Sequence, residues 1–579
     1  MFALPRSSWA EYDTKLISKG GGVFARSLKE IPLSPQVRAV LGIENPTIDP
    51  DGLMHAILAA HVDLLWFGGI GTYVRATGES NAAVGDPAND AIRLAASELR
   101  AKVIGEGANL GITQAGRSEF ALSPTIPGGG RINTDFIDNS AGVDCSDNEV
   151  NIKIALASAR RAKRITLPAR NRLLESMTQE VGAIVLEDNR LQALALSIVQ
   201  AGGAKATPSY IRVIEQLEDR GALDRKTEGL IENDALIRRA ADGKGLTRPE
   251  LAVLLSSVKL LLQTEIEASN LPIDPGLANE LLGAFPAPLR KKFRGDILKH
   301  RLAQEIIATK IANRIVNRMG PIHPLELAEE EGTSLAHVAV TFVAAERLLG
   351  MDAVWRSLDM APMPESARVV LFDRAAATLA DHMADLIRVS HPADRASKLV
   401  ADLAPAVNTL SAQTSKLLNV EGRAQAARML DQFARAGAPP AQAAMVARLF
   451  DMDGAIGLAR LARDSKTDPL ALTRAFTDLG TRLGLDWAQM TAARMSPSDP
   501  WERLLVAGLA RDFQQVRLEF LGRHARSKSP AECVQAWAEK HPEAVRAFRS
   551  LVGRAQSATP VAPTMLAQIA SQARNLLGR

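Results

Sequence analysis

Two short apolar runs in the first part of the chain each end directly in a cluster of glycines, and this arrangement restricts the possible folds most. Residues 62–67 (VDLLWF) lead into residues 68–71 (GGIG), and residues 102–104 (KVI) lead into residues 105–107 (GEG). Buried strands that end in glycine turns are typical of parallel α/β sheets, in which ligands bind at the carboxyl ends of the strands. A weaker run at residues 132–134 predicts a third strand.

Helical patterns at residues 52–58 and 86–94 lie between these runs, so the order predicts a βαβ sheet. Periodicity alone would also allow the apolar runs to be buried helix segments. The glycine content supports the sheet, because residues 1–150 hold 18 of the 41 glycines and carry a net charge of −6. Glycine supplies the tight turns of α/β ligand sites, whereas helical bundles need little of it.

The pattern becomes helical beyond about residue 150, where glycines are few and the net charge is +10. Residues 191–199 show a helical apolar stripe, and residues 247–250 and 499–502 have the spacing of helix N-terminal caps. We therefore predict a partial Rossmann-type α/β domain over residues 1–160. A large all-α helical region follows over residues 161–579, with 330–440 as the segment where it would divide.

Composition excludes several classes of protein. The chain has 69 Lys and Arg against 65 Asp and Glu, so no global charge points to nucleic acid or to a membrane surface. No apolar stretch reaches the roughly 20 residues of a membrane span, and the N-terminus lacks a signal-peptide pattern. Cys145 and Cys533 are too few for a disulfide framework. We expect a cytoplasmic protein with no nucleic-acid and no membrane partner.

The strongest candidate site is the run GEGANLG at residues 105–111, a G-x-G-x-x-x-G that follows a predicted strand. It is one residue longer than the dinucleotide fingerprint, so an ordinary βα turn is an equally good interpretation by itself. Glycines at this position would let the backbone approach a nucleotide, and Asn109 could bond to a ribose or an amide. A second glycine turn at residues 68–71 strengthens the prediction of a nucleotide crevice.

Other motifs point away from metal and phosphate sites. Residues 138–149 (DNSAGVDCSDNE) have the length of a calcium loop, but Val143 stands where the sharp turn requires glycine. A loop leading into a helix is the better interpretation, with Ser146 and Asn148 near the helix start, where they could hold a carboxylate. Residues 18–24 have the wrong order for a phosphate loop and predict a structural turn.

Zinc and RNA sites are also disfavoured. No H-E-x-x-H or C-x-x-C occurs, so we predict no metal site. The basic run at residues 160–164 has no interleaved aromatic residues, which favours a solvated helix face or a subunit contact over RNA binding.

Taken together, these segments resemble the large NAD-specific glutamate dehydrogenases of bacteria. The resemblance implies NAD as cofactor and the conversion of L-glutamate, NAD and water to 2-oxoglutarate, ammonia and NADH. The matching blocks are residues 17–24 (ISKGGGVF), 62–74 (VDLLWFGGIGTYV), 102–117 (KVIGEGANLGITQAGR), 131–154 (RINTDFIDNSAGVDCSDNEVNIKI), 245–255 (GLTRPELAVLL) and 300–320 (HRLAQEIIATKIANRIVNRMG).

The resemblance also implies roles for particular residues. The family's E-G-A-N turn matches residues 106–109, and its N-A-G-G-V-x-x-S element matches residues 139–146. Ser140 and Ala141 depart from the usual Ala and Gly, but both are small, so we expect the turn to be kept. The implied cofactor-binding residues are Gly68, Gly69, Gly107, Asn109 and Asn139, with Asn139 at the nicotinamide ribose. The implied substrate-binding residues are Val143 and Ser146, with Ser146 at the distal carboxylate of glutamate.

The resemblance leaves the catalytic residues unassigned. In the family, the glycine fingerprint and the catalytic Lys and Asp lie upstream of the block with which this chain begins, and residues 1–579 hold no candidate for them. Residues 1–5 look like the middle of the family's domain. We therefore expect a C-terminal part with little turnover of its own, which associates with the missing upstream segment or forms a homo-oligomer. The alternative is a non-catalytic regulatory or assembly subunit that binds a partner through its helical part.

Overall fold

A computed structural model describes residues 7–495, 497, 499–524 and 529–578. Residues 1–5, which the resemblance assigned to the middle of a domain, lie outside the described residues, so that expectation stays a prediction. The internal contacts divide the chain into two compact units. The first comprises the described residues up to 207 together with 217–257 and 286–289, and the second comprises 208–216, 258–285 and the described residues from 290 onward. The predicted domain bounds at residue 160 and within 330–440 stay predictions.

The first unit contains a small parallel α/β region, as predicted. Strands β3, β6 and β7 form a three-stranded parallel sheet in that order, β4 and β5 form a parallel pair, and β1 and β2 an antiparallel pair. The three strands of the larger sheet overlap the three apolar runs of the sequence, the third by Ile132 alone. The strands are β1 (Ile31–Pro32), β2 (Thr47–Ile48), β3 (Leu64–Phe67), β4 (Val74–Arg75), β5 (Leu94–Ala95), β6 (Val103–Glu106) and β7 (Arg131–Ile132).

Helices make up most of the remaining chain, which confirms the predicted fold class. They are α1 (Pro35–Leu41), α2 (Pro50–Leu58), α3 (Asn81–Val84), α4 (Gln114–Ala121), α5 (Asp135–Asp138), α6 (Ser140–Arg161), α7 (Leu167–Gln200), α8 (Thr207–Asp219), α9 (Asn233–Ala241), α10 (Arg248–Glu267), α11 (Ala278–Gly283), α12 (Ala287–Lys292), α13 (Arg294–Leu298), α14 (Ala303–Met319), α15 (Ile322–Glu330), α16 (Leu335–Leu349), α17 (Met351–Met360), α18 (Glu365–Val389), α19 (Ala396–Leu417), α20 (Val420–Arg435), α21 (Pro440–Asp451), α22 (Ala455–Ser465), α23 (Pro469–Leu483), α24 (Leu485–Arg494), α25 (Pro500–His524), α26 (Pro530–Lys540), α27 (Pro542–Gln556) and α28 (Pro563–Leu577).

The helix predicted at residues 86–94 is wrong. Pro87–Asn89 form a single 3-10 turn, and Leu94 begins β5. Side chains bind the neighbouring loop here: Asp86 accepts hydrogen bonds from the Thr72 N–H at 2.8 Å and from Asn89 Nδ2 at 2.7 Å. The buried Arg93 donates from Nε to the Thr72 carbonyl at 2.8 Å. These bonds hold the segment against the loop and replace the helical bonds that the local pattern favoured.

The helix caps follow the sequence. At the start of α10, the Thr247 N–H donates to Glu250 Oε2 at 2.7 Å, and the Glu250 N–H donates to Thr247 Oγ1 at 3.4 Å. This is the predicted capping box. At the start of α25, the Glu502 N–H donates to Asp499 Oδ1 at 3.0 Å. Within the described residues, no helix is both long and apolar enough to cross a bilayer.

Candidate functional site

The two glycine turns lie at the same edge of the larger sheet. Strands β3 and β6 are parallel and in register, with Phe67 opposite Glu106, so the residues that follow them emerge side by side. A Cβ added to Gly68 would meet no atom within 4 Å, and one added to Gly69 would meet only the Tyr73 hydroxyl at 3.8 Å. Packing within the chain therefore does not require glycine at either position, and the turn leaves room for another molecule to approach its backbone.

Glycine is needed at positions 105 and 107 for a different reason, because the indole of Trp66 lies over both residues. A Cβ on Gly105 would come within 2.3 Å of the Trp66 ring, and a Cβ on Gly107 within 2.7 Å of Trp66 Nε1 and 3.0 Å of the Phe67 carbonyl. Gly105 also belongs to strand β6 and not to the turn. Packing against Trp66 thus accounts for both glycines, independently of any ligand.

Asn109 and Asn139, which are 30 residues apart in the sequence, are in direct contact. Asn139 Nδ2 donates to Asn109 Oδ1 at 2.6 Å. Asn109 follows β6 and is exposed, and Asn139 stands at the junction between α5 and α6. The bond uses one polar group of each amide, which leaves Asn109 Nδ2 as a donor and Asn139 Oδ1 as an acceptor for a ligand.

A buried ion pair fixes the turn that carries Asn109. The carboxylate of Glu106 is fully buried and accepts from Arg117 Nε at 2.7 Å and from Arg117 Nη2 at 2.9 Å. It also accepts from the Ile112 N–H at 3.1 Å, so the side chain bridges both ends of the turn. Burial raises the pKa of Glu106, while the guanidinium of Arg117 beside it acts in the opposite direction.

Two aspartates of α5 hold the same turn from the other side. Asp135 accepts from the Leu110 N–H at 2.8 Å and from Arg117 Nη2 at 2.9 Å. Asp138 accepts from the Glu106 N–H at 2.9 Å. Leu110 has a left-handed backbone with φ of 52°, a conformation that a branched side chain rarely adopts. These bonds keep it there and so set the position of Asn109.

The loop predicted at residues 138–149 is wrong, because α5 ends at Asp138 and α6 begins at Ser140. The free N–H groups of α6 therefore belong to its first turn and not to the residues around Ser146 and Asn148. Ser146 Oγ donates to the Gly142 carbonyl at 3.3 Å, and the buried Asn148 donates to the Asp144 carbonyl at 2.8 Å. Asn148 thus faces the helix itself and is not positioned for a carboxylate.

Val143 and Ser146 remain exposed on α6. They stand four and seven residues after Asn139, a spacing that places all three on one side of a helix. The start of α6 is held by Asn189 of α7, whose Nδ2 donates to the Ile137 carbonyl at 2.7 Å and to Ser140 Oγ at 2.9 Å. The serine that departs from the family pattern thus has a structural partner in this chain.

Sequence reasoning missed the residues that position the turn. They are Glu106, Arg117, Asp135 and Asp138. The available signal was a glutamate at the end of an otherwise apolar buried strand, since a buried charge requires a partner.

The remaining sequence motifs have ordinary structural roles. Residues 18–24 include a turn closed by the Gly21 N–H and the Ser18 carbonyl at 2.9 Å, and residues 160–164 are exposed. Neither Cys145 nor Cys533 forms a disulfide bond. Among the described residues, no group of three or more His, Cys, Asp or Glu side chains is placed to hold a metal ion.

Comparison with known proteins gives matches over most of the chain. A family model described as bacterial NAD-glutamate dehydrogenase, catalytic domain, matches residues 1–199. A second model, described as glutamate dehydrogenase, C-terminal, matches residues 243–575.

Individual relatives agree with these models, and each is called an NAD-specific glutamate dehydrogenase. The Halomonas elongata protein is 34% identical over 95% of this chain and 34% of its own length. The Pseudomonas aeruginosa protein is 37% identical over 96% of the chain and 35% of its own length. The Mycobacterium tuberculosis protein is 39% identical over 89% of the chain and 32% of its own length. The chain thus spans about a third of the length of the curated relatives that it matches.

Proposed function

We propose that this chain, which belongs to the large NAD-specific glutamate dehydrogenase family of bacteria, supplies the wall of the active site that contacts the nicotinamide end of NAD and the substrate. The reaction is the oxidative deamination of L-glutamate with NAD and water to 2-oxoglutarate, ammonia and NADH. The contact between Asn109 and Asn139 at the carboxyl edge of the sheet carries this proposal. Ligands of parallel sheets bind at that edge.

The residues present fit a dinucleotide. The backbone at Gly68 and Gly69 is open to close approach, and the free groups of Asn109 and Asn139 would bond to the nicotinamide ribose and amide. Gly107 lies in the same turn, where a side chain would meet the Trp66 indole. NAD supplies the chemistry of the reaction by accepting hydride, and the protein contributes orientation and exclusion of water.

The substrate would lie along α6. We assign Val143 to the aliphatic part of glutamate and Ser146 to its distal carboxylate, to which the Ser146 hydroxyl would donate. That hydroxyl has only a long 3.3 Å bond to the Gly142 carbonyl, which it would exchange for a stronger bond to a carboxylate.

The acid–base residues remain unassigned in this chain. We propose that they come from the remainder of the family's catalytic domain, so that the purified chain alone oxidises glutamate at a rate close to background. A purified 1–579 chain that reduces NAD with glutamate at a normal enzymatic rate would refute this part of the proposal. A cytoplasmic location and homo-oligomer formation likewise remain predictions.

Binding of NADH tests the cofactor site directly. We expect the purified chain to bind NADH in an isothermal titration, and Asn139→Ala to raise the dissociation constant roughly tenfold, because a bond to the ligand and the support of Asn109 are both lost. Asn171→Ala is the matched control, since Asn171 is an exposed asparagine of α7 outside the site. Wild-type chain that fails to bind NADH would instead favour the non-catalytic assembly subunit.

A further inference from the structure

Arg248 stands at the start of α10 and bonds to two other elements of the first unit. Its Nε donates to Asn133 Oδ1, in the segment between β7 and α5. Its Nη2 donates to the Ala193 carbonyl at 2.8 Å and its Nη1 to Ser197 Oγ at 3.1 Å, and both acceptors belong to α7. One side chain, anchored in α10, thus connects α7 to the carboxyl end of strand β7.

The bond to Asn133 leads to the turn that carries Asn109. Asn133 Nδ2 donates to Asp138 Oδ1 at 2.6 Å, and Asp138 Oδ2 accepts from the Glu106 N–H at 2.9 Å. Glu106 ends β6, and Asn109 follows it in the turn. Arg248, Asn133 and Asp138 therefore form a continuous chain of hydrogen bonds from α10 to the start of this turn.

The bonds to α7 lead to the other asparagine of the site, Asn139. Asn189 lies on α7, about one helical turn before the carbonyl that accepts from Arg248. It donates to the Ile137 carbonyl at 2.7 Å and to Ser140 Oγ at 2.9 Å, on either side of Asn139 in the sequence. Arg248 thus supports both asparagines of the site, each by a separate route.

The charges at the two ends of the chain fix the amide of Asn133 between them. A guanidinium can only donate hydrogen bonds and an ionised carboxylate can only accept them, so Asn133 must turn its oxygen to Arg248 and its nitrogen to Asp138. Burial lowers the pKa of Arg248, while the charge of Asp138 acts in the opposite direction. Loss of the guanidinium would remove the group that determines this orientation.

We propose that Arg248 is a positioning residue of the candidate site, which holds Asn109 and Asn139 in the arrangement that binds the nicotinamide end of NAD. The proposal rests on the proposed function of the two asparagines. Both asparagines lie in the part of the chain that the catalytic-domain model matches, whereas Arg248 lies in the part that the C-terminal model matches. Through this side chain, the C-terminal family region contributes to cofactor binding.

Titration of the purified 1–579 chain with NADH tests the role of Arg248. We expect Arg248→Ala to raise the dissociation constant roughly tenfold, because both asparagines lose their support. Arg248→Lys keeps the charge and a donor, and should restore part of the affinity. Arg238→Ala is the matched control, since Arg238 is an exposed arginine of α9 in the same unit, and it should bind NADH like the wild type.

A second background separates positioning from a general loss of structure. In the double variant Asn109→Ala, Asn139→Ala, the groups that Arg248 positions are absent, so Arg248→Ala should weaken NADH binding no further. Partial unfolding would instead weaken binding by the same factor in both backgrounds. If circular dichroism shows that Arg248→Ala does not fold, Asn133→Ala takes its place, since it interrupts the same chain of bonds without removing a charge.

The outcomes distinguish this role from the proposed function. A wild-type chain that does not bind NADH would refute the proposed function and the role of Arg248 with it. NADH binding that Asn139→Ala weakens, but that Arg248→Ala and Asn133→Ala leave unchanged, would overturn the role of Arg248 alone. So would equal weakening by Arg248→Ala in the two backgrounds.

Discussion

Asn139 donates a 2.6 Å hydrogen bond to Asn109, so the turn after β6 and the start of α6 are joined at the carboxyl edge of the sheet. The two amides act on a ligand as one unit, because each orients the other. We expect Asn109→Ala and Asn139→Ala each to weaken NADH binding roughly tenfold, and the double variant to be little weaker than either. A double-mutant cycle from titration calorimetry measures this coupling. Strictly additive effects would mean that the two residues act separately.

The ion pair between Glu106 and Arg117 should dominate the stability of this turn. Both side chains are buried, so Arg117→Ala leaves an unpaired buried carboxylate and should lower the free energy of unfolding by about 3–5 kcal/mol. Hydrogen exchange of the amides of β6 reports the loss. The control is Lys102→Ala, which removes a 2.8 Å ion pair to Asp63 between two exposed side chains and should change little. Comparable losses of stability in the two variants would contradict the dominant role of the ion pair between Glu106 and Arg117.

The glycines of the two turns should respond differently to substitution. Gly68→Ala meets open space, so the thermal midpoint should stay unchanged while NADH binding weakens. Gly107→Ala forces the Trp66 indole aside and should cost about 1–3 kcal/mol of stability. Thermal unfolding and NADH titration of the same two proteins separate the effects. A destabilised Gly68→Ala, or unchanged binding in that variant, would show that the first turn is structural.

The local sequence pattern was sufficient to predict the strands of the sheet but not the structure of the segments between them. The runs at β3 and β6 are apolar and end in glycine, and both features act within a few residues. The segment before β5 takes its form from Arg93 and the Thr72 backbone, 21 residues apart. No local window contains that contact, so the helical pattern there predicted the wrong structure.

The candidate site, like the fold, could be predicted from the sequence only in part. Family motifs named Asn109 and Asn139, but neither periodicity nor spacing could place them 2.6 Å apart, because the bond depends on α5 and β6 folding against each other. The start of α6 depends on Asn189, about 50 residues further along the chain. Residues 138–149 therefore looked like a loop, although the segment is helical from Ser140 onward and a distant side chain bonds to its start.

Asp451 should make the stability of the chain depend on pH. Burial raises its pKa from 3.8 to about 6, and its Oδ1 is buried without a hydrogen-bond partner at the C-terminal end of α21, where the helix dipole also disfavours a negative charge. The unfolded state loses this proton near pH 4 and the folded state near pH 6, so stability falls as pH rises across that window.

Asp451→Asn should remove this dependence. The variant should match the wild type near pH 4 and exceed it by roughly 1 kcal/mol at pH 7, a small gain because the side chain is only half-buried and water screens the charge. Thermal midpoints measured from pH 4 to pH 7 test the trend. A difference between the two proteins that stays constant over the range would exclude titration of Asp451 as its cause.

Ser146 offers the sharpest test of the substrate assignment. Its hydroxyl is exposed on α6 and weakly bonded to the Gly142 carbonyl at 3.3 Å, so it is free to turn towards a carboxylate. A hydrogen bond to the distal carboxylate of glutamate forms in the bound substrate and persists in the transition state, because that carboxylate does not react. Ser146→Ala, made at the matching position of the Pseudomonas aeruginosa relative, should therefore raise KM for glutamate roughly tenfold and leave kcat nearly unchanged.

Cys145→Ala is the control for that substitution, since Cys145 is an exposed neighbour that points to a different side of α6. It should leave both constants as they are. A fall in kcat with unchanged KM in the serine variant would assign Ser146 to the reacting end of the substrate and not to its distal carboxylate. Unchanged constants in both variants would leave Ser146 as a surface residue of the helix, and the glutamate would then have to be held by side chains of the remaining domain.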